Sequence, residues 1–213
     1  MSLPSSEDNT KTTLIRKNTE VETSVQMIIK QIFFQKNNQR PIRLVWWTIP
    51  PMEFVKINCD GAFSHHGNKA AAGGVVRNWA GRFVFGFSSG LPNCSTVESE
   101  LWAIKIGMEA AISRGFNNLI IESDSYTAIQ LINDGVQKNH LHHTLVSSII
   151  KLRSKVHHVG WNHIFREINS VADGLAKHGL SLSPELGVKY FEFPPSFILS
   201  PLQADYSGTI YSR

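Results

Sequence analysis

A chain of 213 residues has room for one domain with appendages, and a hydrophobic share of 42% is enough to build a core. Two cysteines, Cys59 and Cys94, are too few for a disulfide framework or a cysteine-based zinc site, and they fit a reducing compartment. A formal charge of +4 suits a polyanion partner and an ordinary solvated surface equally, so charge alone selects neither.

No run of about 18 apolar residues occurs, so no membrane partner is expected. The N-terminus lacks the charged-then-apolar order of a secretory signal, and Glu7, Asp8, Glu20 and Glu22 argue against an organelle transit peptide. The expected setting is therefore intracellular, nucleus or cytoplasm, with the chain acting as a monomer.

In chain order, residues 1–50 read as a polar extension, 51–180 as the domain and 181–213 as a proline and aromatic tail. The first 20 residues, rich in Ser, Thr, Asn and Lys, have a composition that stays disordered. Val21, Val25, Ile28, Ile29 and Ile32 recur at helical spacing and predict a short amphipathic helix. Pro41 and the stretch Trp46-Trp47-Thr-Ile-Pro50-Pro51 then read as a linker.

From Phe54, Val55, Ile57 and Cys59 alternate with Lys56, Asn58 and Asp60, the pattern of a strand with one buried and one polar face and Asp60 at its end. Ala71–Asn78 and Arg82–Phe87 predict two further strands joined at Trp79-Ala-Gly81, giving three antiparallel strands in a row. A helix over Thr96–Arg114 follows, with Val97, Leu101, Ile104, Met108 and Ile112 as its apolar stripe and Gly115 as its stop. Leu119-Ile120-Ile121 is the continuous apolar run of a strand buried on both faces. Helices near Tyr126–Asn133 and His142–Ser154, a strand over Val156–Phe165 and a helix over Ser170–His178 complete the order βββ-α-β-α-α-β-α. The expectation is an α/β fold: a mixed five-stranded sheet, three antiparallel strands then parallel additions, with helices on both faces.

Hydrolysing a phosphodiester without a covalent intermediate needs an activated water and a neutralised leaving oxygen, which two divalent cations about 4 Å apart provide. Mg²⁺ prefers carboxylate oxygens, so separated acids that converge are the signal to seek. Asp60 and Asp124 follow central strands, whose carboxyl ends form the crevice where open sheets bind ligands. Each also has a plain alternative, Asp60 as a turn acid before Gly61 and Asp124 as a helix cap or loop acid. On the first helix, Ser95-Thr-Val-Glu98 is a capping box that occupies Glu98 and leaves Glu100 as the candidate, or as a solvated mid-helix acid. Ser170-Val-Ala-Asp173 is a capping box too, so Asp173 can be a cap, a ligand or both.

Lys56-Ile-Asn-Cys-Asp60-Gly-Ala62, Ser99-Glu100-Leu-Trp-Ala-Ile104, Glu122-Ser-Asp124-Ser125 and Arg166-Glu-Ile-Asn169-Ser-Val-Ala-Asp173-Gly-Leu-Ala176 come in that order. Together they resemble the type 1 ribonuclease H domain, in the plant reverse-transcriptase-like branch related to non-LTR retroelements. The resemblance covers about Phe54 to Gly179, and the Trp-x-x-Pro lead-in and proline-rich tail look like that branch too. It implies a ribonuclease H-like fold in which Asp60, Glu100, Asp124 and Asp173 hold two Mg²⁺ ions, or Mn²⁺, at the RNA strand of an RNA–DNA hybrid. The implied reaction is endonucleolytic and leaves a 5′-phosphate and a 3′-hydroxyl.

The same resemblance makes His163, six residues before Asn169, the histidine that assists proton transfer, while within Trp161-Asn-His-Ile164 it also reads as a plain strand residue. Gly61, Ser125, Arg166 and Asn169 are its implied substrate contacts, Arg166 being suited to bidentate pairing with phosphate. Two departures stand out: Ser99 replaces the usual Ala before the catalytic Glu, and the stretch from Asp124 to Asp173 lacks the basic protrusion of some bacterial members. Affinity is then expected to rest on scattered Lys and Arg or on another domain. The alternative to a nuclease is a domesticated retroelement-derived module that binds nucleic acid or protein with weak or no catalysis.

Overall fold

The structure, a computed structural model, describes residues 42–64 and 68–213. The expectations for the first 41 residues, a polar segment and the helix around Val21 to Ile32, lie outside the described residues. The chain divides into two units. In the smaller one, Arg43 and Arg213 exchange backbone hydrogen bonds of 2.8 and 2.9 Å. The larger one, Val45–Tyr211, holds the sheet and helices.

Strands β1 (Val55–Ser64), β2 (Lys69–Asn78) and β3 (Phe83–Leu91) form the antiparallel meander. The turn from β2 to β3 is built by Asn78, whose Oδ1 accepts from the backbone N–H of Ala80 and Arg82, both at 3.0 Å. Helix α1 (Thr96–Ser113) leads to β4 (Asn118–Ser123), which returns parallel to β1. Helices α2 (Tyr126–Asp134) and α3 (His143–Leu152) lead to β5 (His158–His163), parallel to β4, and then to α4 (Ser170–Gly179).

All five expected strands are present, and the segment after residue 180 adds a sixth. β6 (Val188–Phe191) pairs antiparallel with β3, and α5 (Leu199–Tyr206) follows it. The sheet order is β5-β4-β1-β2-β3-β6. None of the described helices is long and apolar enough to cross a membrane.

Alternation along the strands sends successive side chains to opposite faces. On one face Ile57, Cys59, Val76, Phe85 and Phe87 pack with Leu101, Ile104 and Met108 of α1 in the main core. On the other, Val75 packs with Val171 and Leu175 of α4 and with Ile198, while Ala71 meets Ala176. Gly73 brings α4 down onto β2: a Cβ there would overlap the Ala176 nitrogen and lie 2.6 Å from its Cα.

Two features of β1 differ from expectation. Asp60 does not end the strand: pairing with β2 continues to Ser64↔Lys69, because Ala70, Ala71 and Ala72 opposite leave room for close pairing. Nor is the polar face of β1 exposed, since Lys56 and Asn58 are 3% and 0% accessible. Trp47, from the stretch read as a linker, is buried and donates from Nε1 to Asn58 Oδ1 at 3.1 Å.

Candidate metal centre

Asp60 sits mid-strand opposite Gly73 and is buried beside Glu100 of α1. Asp124 follows β4, the parallel neighbour of β1. These three residues each offer a carboxylate oxygen, and the three oxygens all lie within 4.8 Å of one another. Two alternatives close at once. Asp60 is no turn acid, and the cap of α2 is Ser125, whose Oγ accepts from the Ala128 N–H at 3.3 Å.

The choice between the two glutamates of α1 follows from its capping box. Ser95 N–H donates to Glu98 Oε2 at 2.8 Å, and Glu98 N–H donates back to Ser95 Oγ at 3.2 Å. Glu98 is spent there, and two residues on Glu100 turns into the cluster. Gly61 N–H and the Ser123 hydroxyl, 3.2 Å from Oε2, both donate to the Glu100 carboxylate. Gly61 has to be glycine for this: a Cβ would lie 2.6 Å from the Glu100 backbone nitrogen and collide with Ser99.

Asn169 ties the other acid. Its Nδ2 donates to the Cys59 carbonyl at 2.9 Å and to Asp124 Oδ1 at 3.1 Å, so one buried amide joins β1 to the loop after β4. Asp60 in turn shares a hydrogen bond with the Asp124 carboxylate. Without a cation such a cluster holds protons. Asp60 is pushed up to about 10, first by burial and then by the negative charges of Glu100 and Asp124. Glu100 rises to about 8 by burial and the charge of Asp124, against the opposing hydrogen bonds from Ser123 and Gly61.

Asp173 is not in this cluster. Its Oδ2 pairs with Lys177 Nζ at 2.6 Å and its Oδ1 lies 3.8 Å from Arg166. The capping box expected at Ser170 is not made. The turn Arg166–Ile168 runs straight into α4, so Asn169 takes the cap position and Ser170 Oγ donates back to the Glu167 carbonyl at 3.0 Å. Asp173 is still close enough for its charge to raise Asp60.

His163 ends β5 beside the acids, with Nε2 3.2 Å from the Asp124 carbonyl oxygen. A carbonyl only accepts, so Nε2 carries the hydrogen and Nδ1 is the basic nitrogen of the neutral ring. Tyr126, 60% exposed, stands edge-on to that ring at 5.5 Å. Arg166 is largely exposed, whereas Asn169 is buried. Two residues that the sequence reading passed over matter here. Ser123 lies inside the motif Glu122-Ser-Asp124-Ser125 with no signal of its own, but the i, i+4 spacing of Asp173 and Lys177 is a legible pairing signal.

Residues 58–179 match the family described as reverse transcriptase-like. The chain belongs to that family. A relative from Arabidopsis thaliana, provisionally named a ribonuclease H protein, is 33% identical over 171 residues, or 80% of this chain. The matched stretch is 27% of that relative, so the chain spans about a quarter of its length. Among solved structures, RNase H1 of the halophilic archaeon Halobacterium salinarum aligns with a TM-score of 0.55 at 24% identity, covering 60% of this chain and 97% of that one. LC11-RNase H1 in complex with an RNA/DNA hybrid aligns with a TM-score of 0.54 at 19% identity, covering 59% and 96%. The fold of this reverse transcriptase-like domain is thus that of ribonuclease H.

The donor set suits a hard divalent cation. All three converging ligands are carboxylates, with no sulfur or imidazole among them. A cation bound there would replace the protons that burial and mutual repulsion keep on Asp60 and Glu100.

Proposed function

We propose that this domain cuts the RNA strand of RNA–DNA hybrids endonucleolytically, with Asp60, Glu100, Asp124 and Asp173 holding two Mg²⁺ ions or Mn²⁺ in their place. The observation that carries the reading is the convergence of Asp60, Glu100 and Asp124 within 4.8 Å. The complex of the similar LC11-RNase H1 with an RNA/DNA hybrid supports the substrate class.

When bound, the ions supply an activated water and neutralise the leaving oxygen, giving a 5′-phosphate and a 3′-hydroxyl. The chain's own groups prepare that chemistry. Gly61 N–H and Ser123 Oγ hold Glu100 in place, and Asn169 fixes Asp124 relative to β1. Asp173, paired here with Lys177 and close to Arg166, would be the fourth carboxylate to hold the ions, and the exposed Lys177 and Arg166 would then be available to the phosphate backbone. Ser125 and the Gly61 backbone approach the scissile strand, and His163 accepts a proton at Nδ1. The hybrid is distinguished by shape and 2′-hydroxyl contacts rather than by base sequence.

A second reading, a retroelement-derived binding module with little or no catalysis, is favoured by one observation. Asp173 is closed onto Lys177 rather than onto the other acids. Incubating the protein with labelled hybrid, duplex RNA and duplex DNA, with Mg²⁺ or with EDTA, decides between them. Metal-dependent cutting of the hybrid alone is expected. Folded protein that binds the hybrid and cuts nothing at any Mg²⁺ concentration leaves the binding module standing.

A further inference from the structure

A buried polar chain lies one pleat behind the acids. Lys56, Asn58 and Asp60 alternate on one face of β1, and register places Asn58 opposite Glu122 of β4, two residues before Asp124. Asn58 Nδ2 donates to Glu122 Oε2 at 2.9 Å, and Lys56 Nζ pairs with Glu122 Oε1 at 2.7 Å. Arg77 Nη2 donates to Asn58 Oδ1 at 2.7 Å, and Arg77 Nη1 pairs with Asp205 Oδ2 at 2.6 Å. The indole of Trp47 donates to the same Asn58 oxygen, and the Arg77 guanidinium lies 3.6 Å from the centre of its ring.

Such a network is a poor way to gain stability. Burying two cations and two anions costs desolvation that apolar residues of similar size would avoid. Arg77 Nε–H also has no hydrogen-bond partner. What the network does provide is direction. Asn58 uses its amide on Glu122 and its carbonyl on Trp47 and Arg77, which fixes the rung of β1 and β4 immediately behind Asp60 and Asp124. Its two outer anchors come from either side of the matched stretch 58–179: Trp47 precedes it, and Asp205 on α5 follows it.

We propose that Asp205 and Trp47 are positioning residues for the Asp60–Glu100–Asp124 centre, acting through Arg77, Asn58 and Glu122. The segments flanking the family domain thereby set the geometry of its acids. The inference rests on the reading of that centre as a metal site.

The test is Arg77→Met combined with Asp205→Leu, an apolar pair of similar volume that avoids leaving a lone buried charge. Mg²⁺ affinity is measured by calorimetry, with kcat and KM on the hybrid alongside. The paired variant is expected to unfold at or above the wild-type temperature while its Mg²⁺ dissociation constant rises about tenfold, the usual effect of removing a group that orients metal ligands. Its kcat should fall with KM for the hybrid unchanged. Trp47→Phe, which removes only the indole N–H, should weaken Mg²⁺ binding in the same direction by less, and it carries the comparison if the paired variant does not fold. A folded variant with wild-type Mg²⁺ affinity overturns this inference alone. Wild-type protein that binds no Mg²⁺ overturns the metal-site reading and this inference with it.

Discussion

Ile57 and Asn58 are neighbours in β1, and both are fully buried, yet they face opposite kinds of interior. Ile57 enters the apolar core beneath α1, where attraction is non-directional and scales with the area removed from water. Asn58 enters a floor of hydrogen bonds shared with Trp47, Arg77 and Glu122, where a small displacement breaks a contact. Equal burial therefore carries two different meanings along one strand. The α1 side holds the sheet together, and the Asn58 side aims it. The acids lie where the two meet, with Asp60 continuing the row of Asn58 and Glu100 belonging to the helix that covers Ile57.

The sharpest way to separate stability from aim is to remove a charge from the centre itself. Asp60→Asn is expected to lower Mg²⁺-dependent cutting of hybrid by about 10³-fold, the loss of several kcal/mol of transition-state stabilisation. Its metal-free melting temperature should hold or rise, because the buried carboxyl no longer needs a proton. Ile57→Ala is the converse change on the other face. It is expected to cost about 3 kcal/mol in urea unfolding while leaving the Mg²⁺ dissociation constant as it was.

The dependence of melting temperature on pH reads both regions together. Asp60 and Glu100 are raised in the fold to about 10 and about 8, from unfolded values of about 4. Their contribution to stability is full below about pH 4 and is lost as pH climbs through about 8 and about 10. Metal-free protein should therefore melt at progressively lower temperature on the alkaline side. The stabilisation given by a fixed Mg²⁺ concentration should grow from pH 6 to pH 9, and a thermal-shift series with and without Mg²⁺ checks both trends. The smallest expected effect is that of Lys177→Met. Its solvent-screened pair with Asp173 is worth under about 0.5 kcal/mol, so unfolding should barely change while freed Asp173 tightens Mg²⁺ binding.

Much of this is legible in the sequence. Periodicity located the meander, α1 and the buried β4, and the capping box read at Ser95 and Glu98 is formed. Three things were not legible, and each depends on partners distant in sequence. The polar face of β1 looked solvated because its cover, Trp47 and Asp205, comes from both ends of the domain. β6 is four residues without alternation among prolines, and only pairing with β3 makes it a strand. Asp173 carried a cap signal, but the turn before α4 puts the cap at Asn169 instead of Ser170 and leaves the Asp173 carboxylate to Lys177.

The sixth strand has a consequence for how the domain behaves in solution. β6 covers the outer hydrogen-bonding edge of β3 along Gly86–Ser89. A chain cut after Gly179, where the family resemblance ends, would bare that edge as an invitation for a second molecule to pair with it. The same cut would strip Asp205 from Arg77 and strand a cation beneath the sheet. Insolubility of such a shortened chain would then reflect lost edge protection and an unpaired charge, not an inability of the ribonuclease H fold to form.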